Sequence, residues 1–197
     1  MLYRTFRLLF RFLFRLFYRW EIEGVKHIPS QGPVVICCNH INNLDPPIVG
    51  AAANRPVRFM AKEELFKVPV LSFLLRRFGA FPVKRGSTDK RALKSALEVL
   101  KQGEVLGVFP EGTRSRDGSL GKAHNGASFI ALKGKAKVVP AAVIGPYRIF
   151  QKVRIVFGPP VDLENFQNQQ WTSHTLREAT DQIMAEIEKL LSKGHSK

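Results

Sequence analysis

The chain has 197 residues, of which 45% are hydrophobic and 24% charged, and its formal net charge is +15. This length suits one domain with a sizeable core, and the only cysteines, Cys37 and Cys38, are neighbours that are poorly placed to bond each other. We therefore expect a domain in a reducing compartment without a disulfide or a metal site, and a polyanionic partner: nucleic acid, an anionic membrane or a phosphorylated substrate.

Residues 1–20, MLYRTFRLLFRFLFRLFYRW, hold five arginines and no acidic residue. Steps of three or four residues place the arginines within one arc of about 120° on a helix, and the remainder is almost wholly Leu, Phe, Tyr and Trp. An arginine at the centre of a bilayer costs roughly 2.5–3.5 kcal/mol, which argues against a spanning helix. The pattern favours a helix that lies in the membrane interface with its arginines at lipid phosphates.

Three other interpretations compete for this segment. A signal peptide would carry its charges at the front and end in small residues, whereas residues 1–20 carry arginines throughout and end in Trp20. A mitochondrial transit peptide would be rich in serine, and residues 1–20 contain none. A helix docked on a protein surface remains open. We divide the chain into an interfacial segment, 1–20, and one domain, 21–197.

The apolar, β-branched run Val34–Cys38 predicts a buried strand, and His40 follows at its end, where α/β folds tend to place their chemistry. Asp45 comes five residues later. In a turn followed by a helix, its carboxylate can fold back onto the imidazole, fix the tautomer and make the other ring nitrogen a better base. The alternatives are a packed core histidine and an aspartate that caps a helix beginning at Pro46.

Hydrophobic periodicity and turn residues predict the remaining elements. In chain order they are a short, irregular strand 21–28, helix 46–53, strand 57–60, a helical region 62–78 broken near Pro69, strand 79–86, helix 87–101, strand 105–109, helix 127–133, strand 137–144, strand 153–157 and helix 173–192. The apolar side chains of 62–78 fit either core packing or the lining of a site for a lipid chain. Pro140 lacks a ladder donor, so it predicts an edge strand or a bulge.

The loop 110–116, PEGTRSR, follows a predicted buried strand directly. It combines a carboxylate, two arginines, hydroxyls and Gly112, a residue type that lets the backbone approach a ligand closely. Such a loop suits a phosphate held by arginine side chains. A solvated charged turn is the alternative.

Four segments taken together resemble the glycerolipid acyltransferase family, the PlsC-like enzymes that acylate lysophosphatidic acid. Asn39 and His40 with Asp45 match its histidine–four residues–aspartate motif, and residues 79–85, 109–114 and 138–140 resemble its second, third and fourth motifs in order. The resemblance covers roughly residues 22–160. The second motif here carries Lys84 before Arg85, and the chain lacks the long transmembrane segments of some relatives.

The resemblance implies an α/β fold with a central, mostly parallel or mixed sheet flanked by helices, and an amphipathic N-terminal element on the membrane. It implies transfer of an acyl group from acyl-CoA or acyl carrier protein to the sn-2 hydroxyl of 1-acylglycerol 3-phosphate, which gives phosphatidic acid. The donor is a substrate, so no cofactor is expected. The implied location is peripheral, at the cytoplasmic face of a membrane.

The resemblance also implies roles for individual residues. His40 is the general base, and Asp45 orients it and stabilises its cationic form. The acceptor phosphate is assigned to the following set, in which Glu111 and Gly112 shape the site and Lys62 is a phosphate or oxyanion partner: Arg85, Glu111, Gly112, Thr113, Arg114 and Lys62. Pro140 is assigned to the acyl-donor pocket.

Three other functions are compatible with parts of the sequence. Nucleic-acid binding is favoured by charge alone, because no nucleic-acid motif is present. A membrane-bound scaffold without turnover would not need the intact pair of His40 and Asp45. An acyltransferase for another acceptor, such as glycerol 3-phosphate or another lysolipid, is the strongest alternative.

Overall fold

The computed structural model describes residues 2–84, 89–115 and 117–195. Within them, seven strands form one sheet in the order β1-β7-β6-β2-β5-β3-β4. The strands are β1 (Arg19–Glu23), β2 (Val34–Cys38), β3 (Val57–Lys62), β4 (Phe81–Val83), β5 (Val105–Val108), β6 (Lys137–Ile144) and β7 (Lys152–Phe157). The helices are α1 (Leu2–Phe17), α2 (Asp45–Ala52), α3 (Pro69–Arg77), α4 (Lys90–Lys101), α5 (Gly126–Lys133), α6 (Glu164–Gln167) and α7 (Ser173–His195).

The sheet is mixed, because β6 and β7 are antiparallel while the other neighbouring strands run parallel. Alternate side chains of β2 enter two separate cores, as the period of a strand requires. Ile36 packs with α1 and α2 on one face, whereas Val35 packs with α4, α5 and α7 on the other. The expected α/β fold with helices on both faces is confirmed.

The parallel strands β3, β5 and β2 lie side by side and end at the same edge of the sheet. Lys62 is the last residue of β3, and His40 and Phe109 follow β2 and β5 closely. Residues that are far apart in the chain therefore meet at one edge, where open α/β sheets place their ligands.

Helix α1 packs on the domain instead of extending from it. Phe14 is buried in the core that α1 shares with α2. Arg11 Nε donates to the carbonyl oxygen of Ala51 at 2.7 Å, and Arg7 reaches the carbonyl of Ala53 at 3.3 Å. The expectation that these two arginines meet lipid phosphates is wrong, because they bind carbonyls at the C-terminal end of α2, where cations are stabilised by the helix dipole.

The boundary at residue 20 falls inside a strand. Helix α1 ends at Phe17, and Arg19 and Trp20 already belong to β1, which pairs in parallel with β7. None of the helices that the structure describes has the length and hydropathy needed to cross a bilayer.

Pro140 lies inside the sheet, so the predicted edge position is wrong. Its strand runs between β2 and β7. The carbonyl oxygen of Pro140 accepts a hydrogen bond from Gly158 at 2.8 Å, and the next pairing joins Val138 to Val161. Between these two pairings the chain advances by two residues on β6 and by three residues on the segment that follows β7. This irregular pairing, the alternative prediction for Pro140, is confirmed.

Candidate active site

His40 and Asp45 form a hydrogen-bonded pair, as predicted from their spacing. His40 Nδ1 lies 2.7 Å from Asp45 Oδ2. Asp45 is fully buried and His40 is 7% exposed. Because the carboxylate holds Nδ1, Nε2 is the ring nitrogen that can accept a proton from a substrate.

The carboxylate of Asp45 is held from several directions. Oδ2 also accepts the backbone N–H groups of Ile41 and Asn42, each at 2.7 Å, and Oδ1 accepts the hydroxyl of Tyr147 at 2.5 Å. Asp45 is the first residue of α2, whose positive dipole end favours its charge. Its side chain turns back to the loop from His40 and does not cap the helix, so the capping alternative is wrong.

The imidazole of His40 is fixed on its face as well as at its edge. The ring stacks on Phe109 with centroids 4.1 Å apart and planes 20° apart, and Phe109 stacks in turn with Phe59, with centroids 6.0 Å apart. These contacts hold the His40 ring at the wall of a cavity, since His40, Phe109 and Phe59 all line it.

The cavity has a volume of about 530 Å³, within the range of small-molecule sites. Its walls come from α1, α2, β3 and α3, and most are apolar. They include the side chains of Tyr3, Phe10, Pro46, Met60, Leu71, Leu74, Leu75 and Phe78. Segment 62–78 was expected either to pack in the core or to line a site, and its leucines and Phe78 line this apolar cavity.

Asn39 anchors the end of β2 beside this pair. Its Oδ1 accepts the backbone N–H of Val143 at 2.8 Å, and its Nδ2 donates to the Val143 carbonyl at 2.9 Å. The buried amide thus continues the pairing with β6 after the backbone of β2 has turned away. The turn that presents His40 is fixed from its first residue.

Glu111 lies behind His40, and both of its carboxylate oxygens accept backbone N–H groups, an arrangement that fits the predicted role of shaping the site. Oε1 accepts the backbone N–H of His40 at 2.8 Å, and Oε2 accepts that of Gly121 at 2.8 Å. The residue is 3% exposed. Both oxygens are engaged by backbone donors, so the carboxylate shapes the site as a clamp between the two loops.

The loop after Phe109 places the last three residues of the third motif at the surface. Gly112 adopts φ +66°, a conformation that side-chain-bearing residues rarely take, and its N–H bonds the Phe109 carbonyl at 2.9 Å. Thr113 and Arg114 are exposed. The N–H of Ser115 donates to the carbonyl of His40 at 2.8 Å, so Arg114 is one residue from a contact with the His40 backbone.

Three other predicted site residues have different outcomes. Lys62 lines the cavity and forms an ion pair with Glu64 at 3.3 Å. Pro140 is buried within β6 beside Gly158 and is not part of the cavity wall that the described residues form, and its assignment to the donor pocket stays a prediction. Arg85 lies outside the described residues.

The cysteines next to His40 are not placed to act as nucleophiles. Both are free and buried. Burial raises the pKa of Cys37 to about 12, and burial together with the charge of Asp45 raises the pKa of Cys38 well above its ordinary value. A thiolate is the nucleophilic form of cysteine, so chemistry here does not run through either thiol.

Two residues of the site were not predicted. Tyr147 belongs to no motif, yet it follows the end of a strand by three residues, the same kind of position that singled out His40. Asn39 was counted as part of the histidine motif without a role. Its position as a polar residue directly after an apolar strand was the available signal.

A family model for acyltransferases matches residues 19–144. The chain is 32% identical over 180 residues to the 1-acyl-sn-glycerol-3-phosphate acyltransferase of Bacillus subtilis, covering 87% of this chain and 89% of that protein. It is 34% identical over 125 residues to the lyso-ornithine lipid O-acyltransferase of Pseudomonas aeruginosa, 63% of this chain and 47% of that protein.

Among solved structures, the crystal structure of PlsC, a 1-acyl-sn-glycerophosphate acyltransferase from Thermotoga maritima, superposes with a TM-score of 0.74 at 25% identity. The match covers 95% of this chain and 79% of that one. The first five curated relatives differ in length, and the matched region spans between 38% and 89% of them.

Proposed function

The chain belongs to the acyltransferase family, and from this premise we propose that it transfers an acyl group from a thioester donor to the sn-2 hydroxyl of 1-acylglycerol 3-phosphate, giving phosphatidic acid. The observation that carries the proposal is the pair of His40 and Asp45, bonded at 2.7 Å at the wall of an apolar cavity. The names of relatives such as the Bacillus subtilis enzyme support the acceptor.

The chemistry follows from the position of the imidazole. Nε2 of His40 accepts the proton of the acceptor hydroxyl as its oxygen attacks the thioester carbonyl carbon. The buried carboxylate of Asp45 stabilises the imidazolium that forms. When the tetrahedral intermediate collapses, the carbon–sulfur bond breaks and the leaving thiolate takes the proton from Nε2. No bond to the protein forms, in keeping with the buried thiols of Cys37 and Cys38.

We assign the acceptor phosphate to the cations of the predicted site. Lys62 lines the cavity, and Arg114 is exposed on the loop that is bonded to the His40 backbone. An arginine offers paired donors that match phosphate oxygens, and a lysine offers a point charge. Arg85 keeps its predicted role in this group.

The donor is acyl-CoA or an acyl carrier protein. Both present an acyl thioester, and the apolar cavity beside His40 gives the acyl chain a place to leave water. The net charge of +15 favours either donor, because both are anionic. No further cofactor enters the scheme.

We propose that the enzyme works as a peripheral protein at the cytoplasmic face of an anionic membrane. Exposed apolar side chains lie along one stripe of α1 at Leu8, Phe12 and Leu16, with exposed Arg15 beside them. A further exposed pair on the loop 145–151, Ile149 and Phe150, adjoins the end of α1 through the N–H of Phe150, which bonds the Phe17 carbonyl. Monomeric soluble proteins rarely leave so much apolar surface in one region.

A different lysolipid acceptor is the second candidate. The likeness to a lyso-ornithine lipid O-acyltransferase favours it, because the name of that relative specifies an acceptor other than lysophosphatidic acid. Glycerol 3-phosphate is the other alternative acceptor.

A matched panel of substrates tests the proposal. The purified protein is incubated with acyl-CoA or acyl carrier protein and with 1-acylglycerol 3-phosphate, glycerol 3-phosphate or lyso-ornithine lipid, and products are identified by mass. We expect the highest kcat/KM with 1-acylglycerol 3-phosphate. A higher value with lyso-ornithine lipid or glycerol 3-phosphate would replace the proposed acceptor, and no product from any pair would overturn the proposal.

A further inference from the structure

Asp45 is engaged on both of its oxygens, and the two sides have different partners. Oδ2 faces His40 and the backbone of the same loop, at 2.7 Å to each of three nitrogens. Oδ1 faces away from that loop and accepts the hydroxyl of Tyr147 at 2.5 Å. Because Asp45 is fully buried, the loss of a partner would leave Oδ1 as an unsatisfied charged acceptor, which is costly.

We propose that Tyr147 is a positioning residue of the reaction, whose hydroxyl holds the carboxylate of Asp45 in the one orientation that supports His40. The proposal rests on the proposed function, since it assigns a third member to the pair that carries the chemistry. Tyr147 does not line the cavity wall formed by the described residues, so its effect on a substrate passes through Asp45 and His40.

Tyr147 is itself held in place before any substrate binds. It follows β6, and its ring meets that of Tyr18 edge to face with centroids 6.1 Å apart. Both rings pack against the core that contains Phe14 and α2. The hydroxyl therefore reaches Asp45 from a fixed ring, 102 positions away in the chain.

The chemistry of the phenol suits a permanent donor. Burial, and then the negative charge of Asp45, raise the pKa of Tyr147 above its ordinary value. The hydroxyl stays protonated at any pH at which the enzyme would work, so it donates to Oδ1 throughout. A neutral donor at Oδ1 adds no charge to the site and leaves the charge of the carboxylate available to the imidazolium.

Replacing Tyr147 by Phe removes the hydroxyl and keeps the ring. A hydrogen bond to a charged group contributes enough that its loss in the transition state lowers kcat about tenfold. Because the substrate sites are untouched, we expect KM for donor and acceptor to change less than twofold. Tyr18→Phe is the matched control, since it removes a hydroxyl from the neighbouring ring, and both parameters should stay at the parent values.

A second measurement needs no turnover. The proton on His40 Nδ1, bonded to a buried carboxylate, should give a downfield proton resonance by NMR in the parent and in Tyr18→Phe. We expect that resonance to be lost or broadened in Tyr147→Phe, because Asp45 is no longer fixed. The role of Tyr147 would be overturned if Tyr147→Phe kept the kcat of the parent, if its kcat/KM fell through a raised KM instead of a lowered kcat, or if its resonance were unchanged. If the parent acylates no acceptor, the proposed function fails, and the resonance still decides the position of Asp45.

Discussion

The carboxylate of Glu111 accepts the backbone N–H of His40 at 2.8 Å, across 71 positions of the chain. Its second oxygen accepts the N–H of Gly121 at the same distance. A buried side chain of the third motif thus holds the first motif in place, and both oxygens of Glu111 are bound by backbone N–H groups. This arrangement separates residues that build the site from those available to a substrate.

Glu111→Gln should destabilise the fold and reduce kcat with little change in KM for the acceptor. The amide offers one acceptor and one donor in place of two acceptors, so one buried N–H faces a donor, at a cost of about 1–3 kcal/mol. Urea unfolding and steady-state kinetics measure the two effects. A raised KM with unchanged stability would instead place Glu111 against the substrate.

Two phenylalanines of α1 provide a matched test of what the helix does. Phe12 is 63% exposed and Phe14 is 4% exposed, although they are two residues apart. Phe12→Ala should weaken binding to anionic vesicles about tenfold, because the variant loses the burial of one large apolar side chain in the membrane. The free energy of unfolding should stay unchanged, since Phe12 is exposed in the folded protein. Phe14→Ala should lower that free energy by about 3–5 kcal/mol.

Vesicle flotation and denaturant unfolding, measured on both variants, separate these roles. Equal flotation of Phe12→Ala and the parent would show that the exposed stripe of α1 does not bind the membrane.

Deleting residues 2–17 should impair turnover even with a water-soluble acceptor, because Tyr3 and Phe10 of α1 line the cavity.

Arg114→Ala should raise KM for 1-acylglycerol 3-phosphate and leave kcat nearly unchanged, as expected for binding that is equal in ground and transition states. A matched acceptor without the phosphate should react poorly with the parent and respond little to the substitution. Lys189→Ala on α7, which also removes one cation, is the control, since its ion-pair partner is Glu186 on the same helix. Equal losses with both acceptors would point to a role in loop structure.

The elements and the pair of His40 and Asp45 could be predicted because local rules determine them. The period of the apolar residues identified β2 and α4, and Asp89, a residue type favoured at helix N-caps, caps α4 by accepting the N–H groups of Arg91 and Ala92. The separation of His40 and Asp45 allowed contact only across a turn, and a turn is what the chain forms. A boundary was less predictable at Lys62, which ends β3 instead of opening a helix.

Contacts between distant segments could not be read from the same patterns. An amphipathic α1 has two faces, but periodicity does not say what covers each, and Arg7 and Arg11 proved to bind carbonyls at the C-terminal end of α2. A carboxylate such as Glu111 accepts hydrogen bonds from a substrate or from backbone equally well, and only the fold decides between them. Tyr147 reaches Asp45 because β6 lies beside β2, a neighbourhood that no local pattern encodes.

The most direct test of the account is the rate at which His40→Ala forms phosphatidic acid. Parent and variant are compared at saturating 1-acylglycerol 3-phosphate and acyl donor, after unfolding curves show that both are folded. We expect product from the parent and a variant rate reduced by about 10²–10⁴-fold, the contribution of a positioned general base. A folded His40→Ala enzyme that turns over at a rate near that of the parent would contradict it.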